Sequence, residues 1–311
     1  MNKPPFLKTI KTAQTHLSGV LIFLFILLGS VFMAAQAPAA TVVDDVGRSV
    51  LVPDRPSRII SLAPGITEIL FALGLDERIV GVTSFCDWPQ KARRKTSIGG
   101  FTNPSLETIL WLKPDLIIAT ADGNRPETVR QLEKIGMAVY VTHPADTEGI
   151  LNSLLQIGEM TGRGHAAREL AGTLKRRLDA VTLKVQGKKK PRVFFQIGMD
   201  PVISVNGETL ISDVIKRAGG VNVAARQKAR YPRYSAEGVM AGAPDVLLFA
   251  PMASDREFKM VKTYWQQFPG IPAVKNNRIH PMDTDLIGRA SLRIVDAIEQ
   301  TARLLHPEMK E

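Results

Sequence analysis

The sequence is poor in the residues that most directly announce chemistry. It has one cysteine, Cys86, in 311 residues, which excludes an intrachain disulfide and any metal site built from clustered thiolates. There is no Gly-x-Ser-x-Gly, no His-Glu-x-x-His and no phosphate-binding glycine loop, and His143, His165, His280 and His306 are scattered without ligand spacing, so no catalytic or metal-ligating set is expected. Aromatics make up only 6% of the chain, so their positions carry information. What is abundant is ordinary: 45% hydrophobic and 23% charged residues suit one large domain or two small ones with proper cores, and exclude a disordered or collagen-like chain.

The net charge of +10 would permit a nucleic-acid or anionic-membrane partner only if the basic residues gathered on one face. Three of those charges, Lys3, Lys8 and Lys11, precede the uncharged run from Leu17 to Ala35 and the small-residue stretch Ala37-Pro38-Ala39-Ala40. That order is the one of a secretory signal, with cleavage after Ala39 and export to the periplasm expected. An uncleaved membrane anchor is the competing reading, because the apolar run reaches the lower edge of a bilayer span. The basic runs Lys91 to Lys95 and Lys188 to Lys190 lie in stretches poor in apolar residues and read as solvated loops rather than a nucleic-acid patch.

Beyond Ala40 strands and helices alternate. Arg58 to Leu62 reads as a buried strand, Thr67 to Leu73 as an amphipathic helix closed by Gly74, and Ile79 to Val82 as a second strand. The same rhythm continues through a helix at Leu106 to Leu112 and a strand at Leu116 to Ala119, which predicts an α/β fold with mostly parallel sheets. From Gly162 to Gln186 the period changes: Ala166, Leu170, Leu174, Leu178, Val181 and Val185 recur at steps of three and four, predicting one long helix. Strand and helix patterns resume at Val193. The halves on either side repeat: Ser105-Leu106-Glu107 and Pro114-Asp115-Leu116 return 130 residues later as Ser235-Ala236-Glu237 and Pro244-Asp245-Val246. The division is therefore a leader (1–39), an N-terminal α/β lobe (40–160), a connecting helix (161–188) and a C-terminal α/β lobe (189–311).

Two lobes joined by one helix enclose a cleft, and ligands favour such junctions and the loops that follow parallel strands. Five aromatics fall in these loops: Phe85, Trp88, Phe101, Tyr231 and Tyr234. Aromatics there suit a flat, largely apolar ligand as stacking walls, or else cap the lobe cores. Asp285 and Arg289 have the spacing of a helix-face ion pair, serving each other or the polar groups of a ligand. Glu107 and Glu237 each stand two residues after a capping Ser, where the helix dipole favours an acid by about 0.3–1 kcal/mol. Their equal placement in both lobes suggests two basic sockets on a symmetric partner. Cys86 reads as a small buried apolar side chain and His280 as a surface residue.

Arg58-Ile59-Ile60-Ser61-Leu62-Ala63-Pro64-Gly65-Ile66-Thr67-Glu68-Ile69-Leu70, then Gly81-Val82-Thr83, then Leu106-Glu107 through Pro114-Asp115-Leu116-Ile117 resemble the iron-complex and vitamin B12 family of periplasmic substrate-binding proteins of ABC importers. Arg192 to Gly198, Tyr264-Trp265 and Asp285 to Ser291 are similar to the family's cobalamin-binding members. The resemblance implies two Rossmann-like lobes joined by a single long rigid α-helix, the class III arrangement, which closes by only a few degrees. It implies a monomeric binding protein rather than an enzyme, with no resident cofactor. Its ligand is a corrinoid, cobalamin first, and its partner an inner-membrane permease dimer with an ATPase. On this resemblance the ligand contacts fall on Phe85, Phe101, Tyr231, Asp285 and Arg289, beside Trp88, and the permease-docking acids on Glu107 and Glu237. Thr120, Ile197 and Ile203 stand where the cobalamin binders are aromatic. The same frame serves iron–siderophore and haem receptors; a membrane-tethered enzyme or scaffold is the reading from a different class.

Overall fold

The computed structural model describes residues 39–250 and 255–309. The leader falls outside them except for Ala39, which opens a strand. The first lobe runs β1 (Ala39–Val43), β2 (Ser49–Pro53), β3 (Ile59–Ser61), α1 (Pro64–Ala72), β4 (Ile79–Val82), α2 (Leu106–Leu112), β5 (Leu116–Thr120), α3 (Pro126–Lys134), β6 (Val139–Thr142) and α4 (Thr147–Met160). Then comes α5 (Gly164–Val185). The second lobe runs β7 (Arg192–Gln196), β8 (Gly198–Met199), β9 (Val202–Ile203), α6 (Leu210–Arg217), β10 (Val221–Asn222), β11 (Arg233–Tyr234), α7 (Ala236–Ala241), β12 (Val246–Phe249), α8 (Asp255–Gln266), α9 (Pro272–Lys275), β13 (Ile279–Pro281), α10 (Thr284–Ile287) and α11 (Ile294–Leu305).

Among the described residues each lobe has a four-stranded parallel sheet, ordered β4-β3-β5-β6 in the first and β10-β7-β12-β13 in the second. Every residue of β5 and β12 is buried. That burial on both faces explains why these strands read as unbroken apolar runs rather than as alternating ones. The fold is thus α/β with parallel sheets, as the alternating pattern predicts.

The internal repeat extends into details that the sequence pattern only hints at. In both lobes the capping Ser accepts a bond from the helix N–H three residues on, Ser105 from Thr108 and Ser235 from Gly238, each at 3.2 Å. Both helices are followed by a residue forced to positive φ, Lys113 at 46° and Ala243 at 40°. In both, the Asp that opens the next strand accepts from the backbone of an Arg opening a neighbouring one: Asp115 from Arg58 at 2.9 Å and Asp245 from Arg192 at 2.8 Å. The guanidiniums of those two arginines donate to carbonyls at the ends of α2 and α7.

The helix expected over 162–186 is α5, 22 residues long and so about 33 Å at 1.5 Å per residue. Ala167, Leu174, Leu178 and Val181 form its buried stripe, while Ala166, Leu170 and Val185 are only half-buried. Its first turns pack on α4, where Gly158 meets Ala167. Its middle is fastened to α11 by Arg177, which reaches Glu299 at 2.8 Å and Asp296 at 2.6 Å. The helix α4 and the small antiparallel sheet β11-β9-β8 were not legible in the sequence. That sheet removes Tyr234 from the loop set, because its ring meets Phe194 edge-on at 5.1 Å and belongs to the second lobe's core.

Candidate functional site

Between the carboxyl ends of the two sheets lies a cavity of about 1200 Å³, larger than the roughly 300–1,000 Å³ of pockets for drug-sized ligands. The first lobe contributes Phe85, Phe101 to Asn103, Thr120 to Gly123 and the start of α1; the second contributes Leu210, Ile211, Arg230, Tyr231 and the segment Thr284–Ala290 without Leu286. Five of the six expected ligand residues, Phe85, Phe101, Tyr231, Asp285 and Arg289, line it together. Trp88 does not: its ring lies under the Arg293 guanidinium, 4.8 Å from the centroid. Thr120 faces the cavity, whereas Ile197 and Ile203 are absent from its lining.

The aromatic walls are held in different ways. Phe101 packs against Gly123, at positive φ, where any β-carbon would collide with the ring. Buried Asn124 anchors that loop, its Nδ2 donating to Phe101 O at 2.8 Å and Leu62 O at 3.0 Å, and its Oδ1 accepting from Thr120 N. Phe85 and Tyr231, by contrast, are 58% and 54% exposed. They present apolar area that the described residues leave largely uncovered.

Among the described residues, charged side chains reach from one lobe to the other at three places. At the first, α1 carries Glu68 as its one charged residue, and Gly65 lets its first turn touch the Ala290 carbonyl. Arg293 grips Glu68 with both arms, and Arg289 approaches it at 3.7 Å. Arg289 also donates to Asp87 at 2.6 Å and pairs with Asp285 at 2.7 Å, so Arg289 does not serve Asp285 alone. The hydrogen bond from Arg289 holds the Asp87 carboxyl below its ordinary range. At the mouth, Arg230 meets Asp122 at 3.4 Å and overlies Tyr231. At the head of α4, Thr147 donates twice to Asp213, which also holds Arg217. Glu68, Arg293, Asp122 and Arg230 were missed from sequence; a lone acid inside the apolar run Gly65 to Leu70 was the available signal.

Glu107 and Glu237 are both exposed in the first turns of α2 and α7. The Glu237 carboxyl is lowered by a backbone N–H and the Ser235 hydroxyl. Cys86 is buried between Thr67 and Thr83, each 3.1 Å from its sulfur, and burial pushes its thiol up. His280 is half-buried rather than on the surface, because β13 carries it along the sheet edge. Among the described residues no cluster of three or more His, Cys, Asp or Glu is placed to hold a metal, and no helix is long and apolar enough to cross a membrane.

A profile described as "Periplasmic binding protein" matches residues 59–286. The vitamin B12-binding protein of Salmonella typhimurium is 32% identical over 248 residues, covering 80% of this chain and 90% of that protein. The crystal structure of the periplasmic vitamin B12 binding protein of Vibrio cholerae superposes with a TM-score of 0.74 at 28% identity, over 83% of this chain and all of that one. A periplasmic haem-binding protein from Roseiflexus reaches 0.68, also at 28% identity, over 81% and 98% of the two chains.

Proposed function

The chain belongs to the periplasmic binding protein family, and from that premise we propose that it is the solute-binding component of an ABC importer, carrying a corrinoid, vitamin B12 first, in the inter-lobe cleft. The observation that carries this reading is the cavity of about 1200 Å³ walled by Phe85, Phe101 and Tyr231, large and flat-sided enough for a macrocycle. Arg289 and Asp285 supply polar contacts at its edge, and Glu107 and Glu237 are the acids that meet basic sockets on an inner-membrane permease dimer with its ATPase. The protein acts as a monomer in the periplasm, exported by the leader in residues 1–39, and it binds rather than transforms its ligand.

One observation bears on the haem alternative. Of the residue types that hold haem iron, the described cavity lining offers only Tyr231, with no His, Met or Cys. Cobalamin brings its own axial base and needs none of them. Calorimetric titration of the mature protein with cyanocobalamin tests the reading: a one-to-one isotherm at micromolar ligand or tighter supports it. No heat with cyanocobalamin, together with a Soret shift on adding haemin that Tyr231→Phe abolishes, replaces it with haem carriage.

A further inference from the structure

Helix α2 presents more than an acid to solvent. Ile109 and Leu112 turn into the first lobe's core, at 0% and 6% exposure, and this orientation drives Leu110 and Trp111 outward. Trp111 is 74% exposed and Leu110 45%. Both lie within one helical turn of Glu107, which makes no ion pair among the described residues. The repeat supplies a second copy for comparison. In α7 Glu237 is followed, at the position of Leu110, by Met240 at 42% exposure, and at the position of Trp111 by Ala241. Each lobe therefore pairs an outward acid with an outward apolar side chain one turn on, and only the first lobe adds an indole.

We infer that Leu110 and Trp111 extend the docking face around Glu107 and seat on an apolar shelf beside the permease's basic socket, making the first-lobe contact the stronger of the two. This rests on the proposal that Glu107 and Glu237 dock the permease. Charge argues for that occupant over a second copy of the chain, because a two-fold contact of α2 on itself would bring Glu107 against Glu107. Tryptophan is enriched among the residues that carry interface energy, and Leu110 beside it supplies part of a water-excluding surround.

The test measures docking of the ligand-loaded protein to the organism's own vitamin B12 permease–ATPase complex in nanodiscs. Trp111→Ala is expected to weaken docking about 10-fold or more, chiefly through faster release, with cyanocobalamin affinity and thermal stability unchanged because the side chain supports neither cleft nor core. Ala241→Trp is expected to tighten it several-fold, and Glu107→Lys to weaken it more than Glu237→Lys. If the charge reversals abolish docking while Trp111→Ala leaves it within twofold, the inference is wrong and the docking reading stands. If the reversals leave docking intact, the docking reading fails and takes the inference with it. A wild-type dimer in light scattering that Trp111→Ala converts to monomer assigns the face to a second copy and overturns the proposal.

Discussion

Arg293 grips Glu68 across 225 positions of sequence, Nε to Oε2 at 2.8 Å and Nη2 to Oε1 at 2.7 Å. The pair joins the two lobes directly, independently of α5. Glu68 is 5% exposed, and a carboxylate removed from water to that degree persists as a charge only with a cation against it. The Trp88 ring beneath the guanidinium completes the arrangement.

Removing one partner of this pair should therefore be severe. Arg293→Met leaves Glu68 with only Arg289 at 3.7 Å, and the loss should be about 3 kcal/mol, read from urea unfolding. The double variant Glu68→Met, Arg293→Met should recover most of it, because no stranded charge remains. A single-variant loss under about 1 kcal/mol would mean that Arg289 or water already satisfies Glu68.

The cleft aromatics should behave in the opposite way, affecting the ligand and sparing the fold. Phe85 and Tyr231 are more than half exposed, so Phe85→Ala and Tyr231→Ala should leave the melting temperature within about 2 °C, as surface changes do. Each should weaken cyanocobalamin binding about 10-fold, from the roughly 1.4 kcal/mol of lost stacking and apolar contact. Calorimetry on the two variants decides it; unchanged affinity in both would place the ligand elsewhere.

Glu107→Lys with Glu237→Lys should abolish uptake in a strain that depends on this protein for vitamin B12, with purified-protein affinity unaltered. Both acids lie outside the cavity lining, so a loss of ligand affinity would contradict a docking role for them.

The pH response has a defined sign at His280. Burial, with Arg278 and Lys262 adding to it, lowers its pKa beneath the ordinary 6.5. The unfolded chain then binds the proton first, so this contribution is intact above pH 6.5 and declines as pH falls from there through the folded value. Urea stability between pH 7.5 and 5.5 should fall more steeply for the wild type than for His280→Gln. A ring titration by NMR at or above 6.5 in the folded protein would remove the basis of this expectation.

Much of the local architecture was legible because it obeys short-range rules. The helix Leu106–Leu112 and the strand Ile79–Val82 were bounded by their own capping and apolar patterns, and both match to the residue. The stripe Leu174-Leu178-Val181 marked α5 from its period alone. Loop aromatics pointed to Phe85, Phe101 and Tyr231 because an apolar ring in a polar segment asks for a partner. The same rule misassigned Trp88, whose ring packs under Arg293 instead, while Tyr234 took the core-capping alternative: its partner, Phe194, lies 40 positions away and was brought to it by the β11-β9-β8 sheet.

The sequence by itself determined the main parallel strands, most of the helices, their order and the two-fold internal repeat, since periodicity, capping and turn chemistry act over a few residues; α4 and the β11-β9-β8 sheet escaped it. It also determined which residue types stand in the loops. Only the tertiary structure decided which of them meet: that Trp88 serves Arg293 while its neighbour Phe85 faces the cavity, that Asp122 answers Arg230 across the mouth, and that Glu68 is neutralised from the other lobe. Those pairings depend on where two sheets come to rest against each other, and charges 108 and 225 positions apart carry no local mark of their partners.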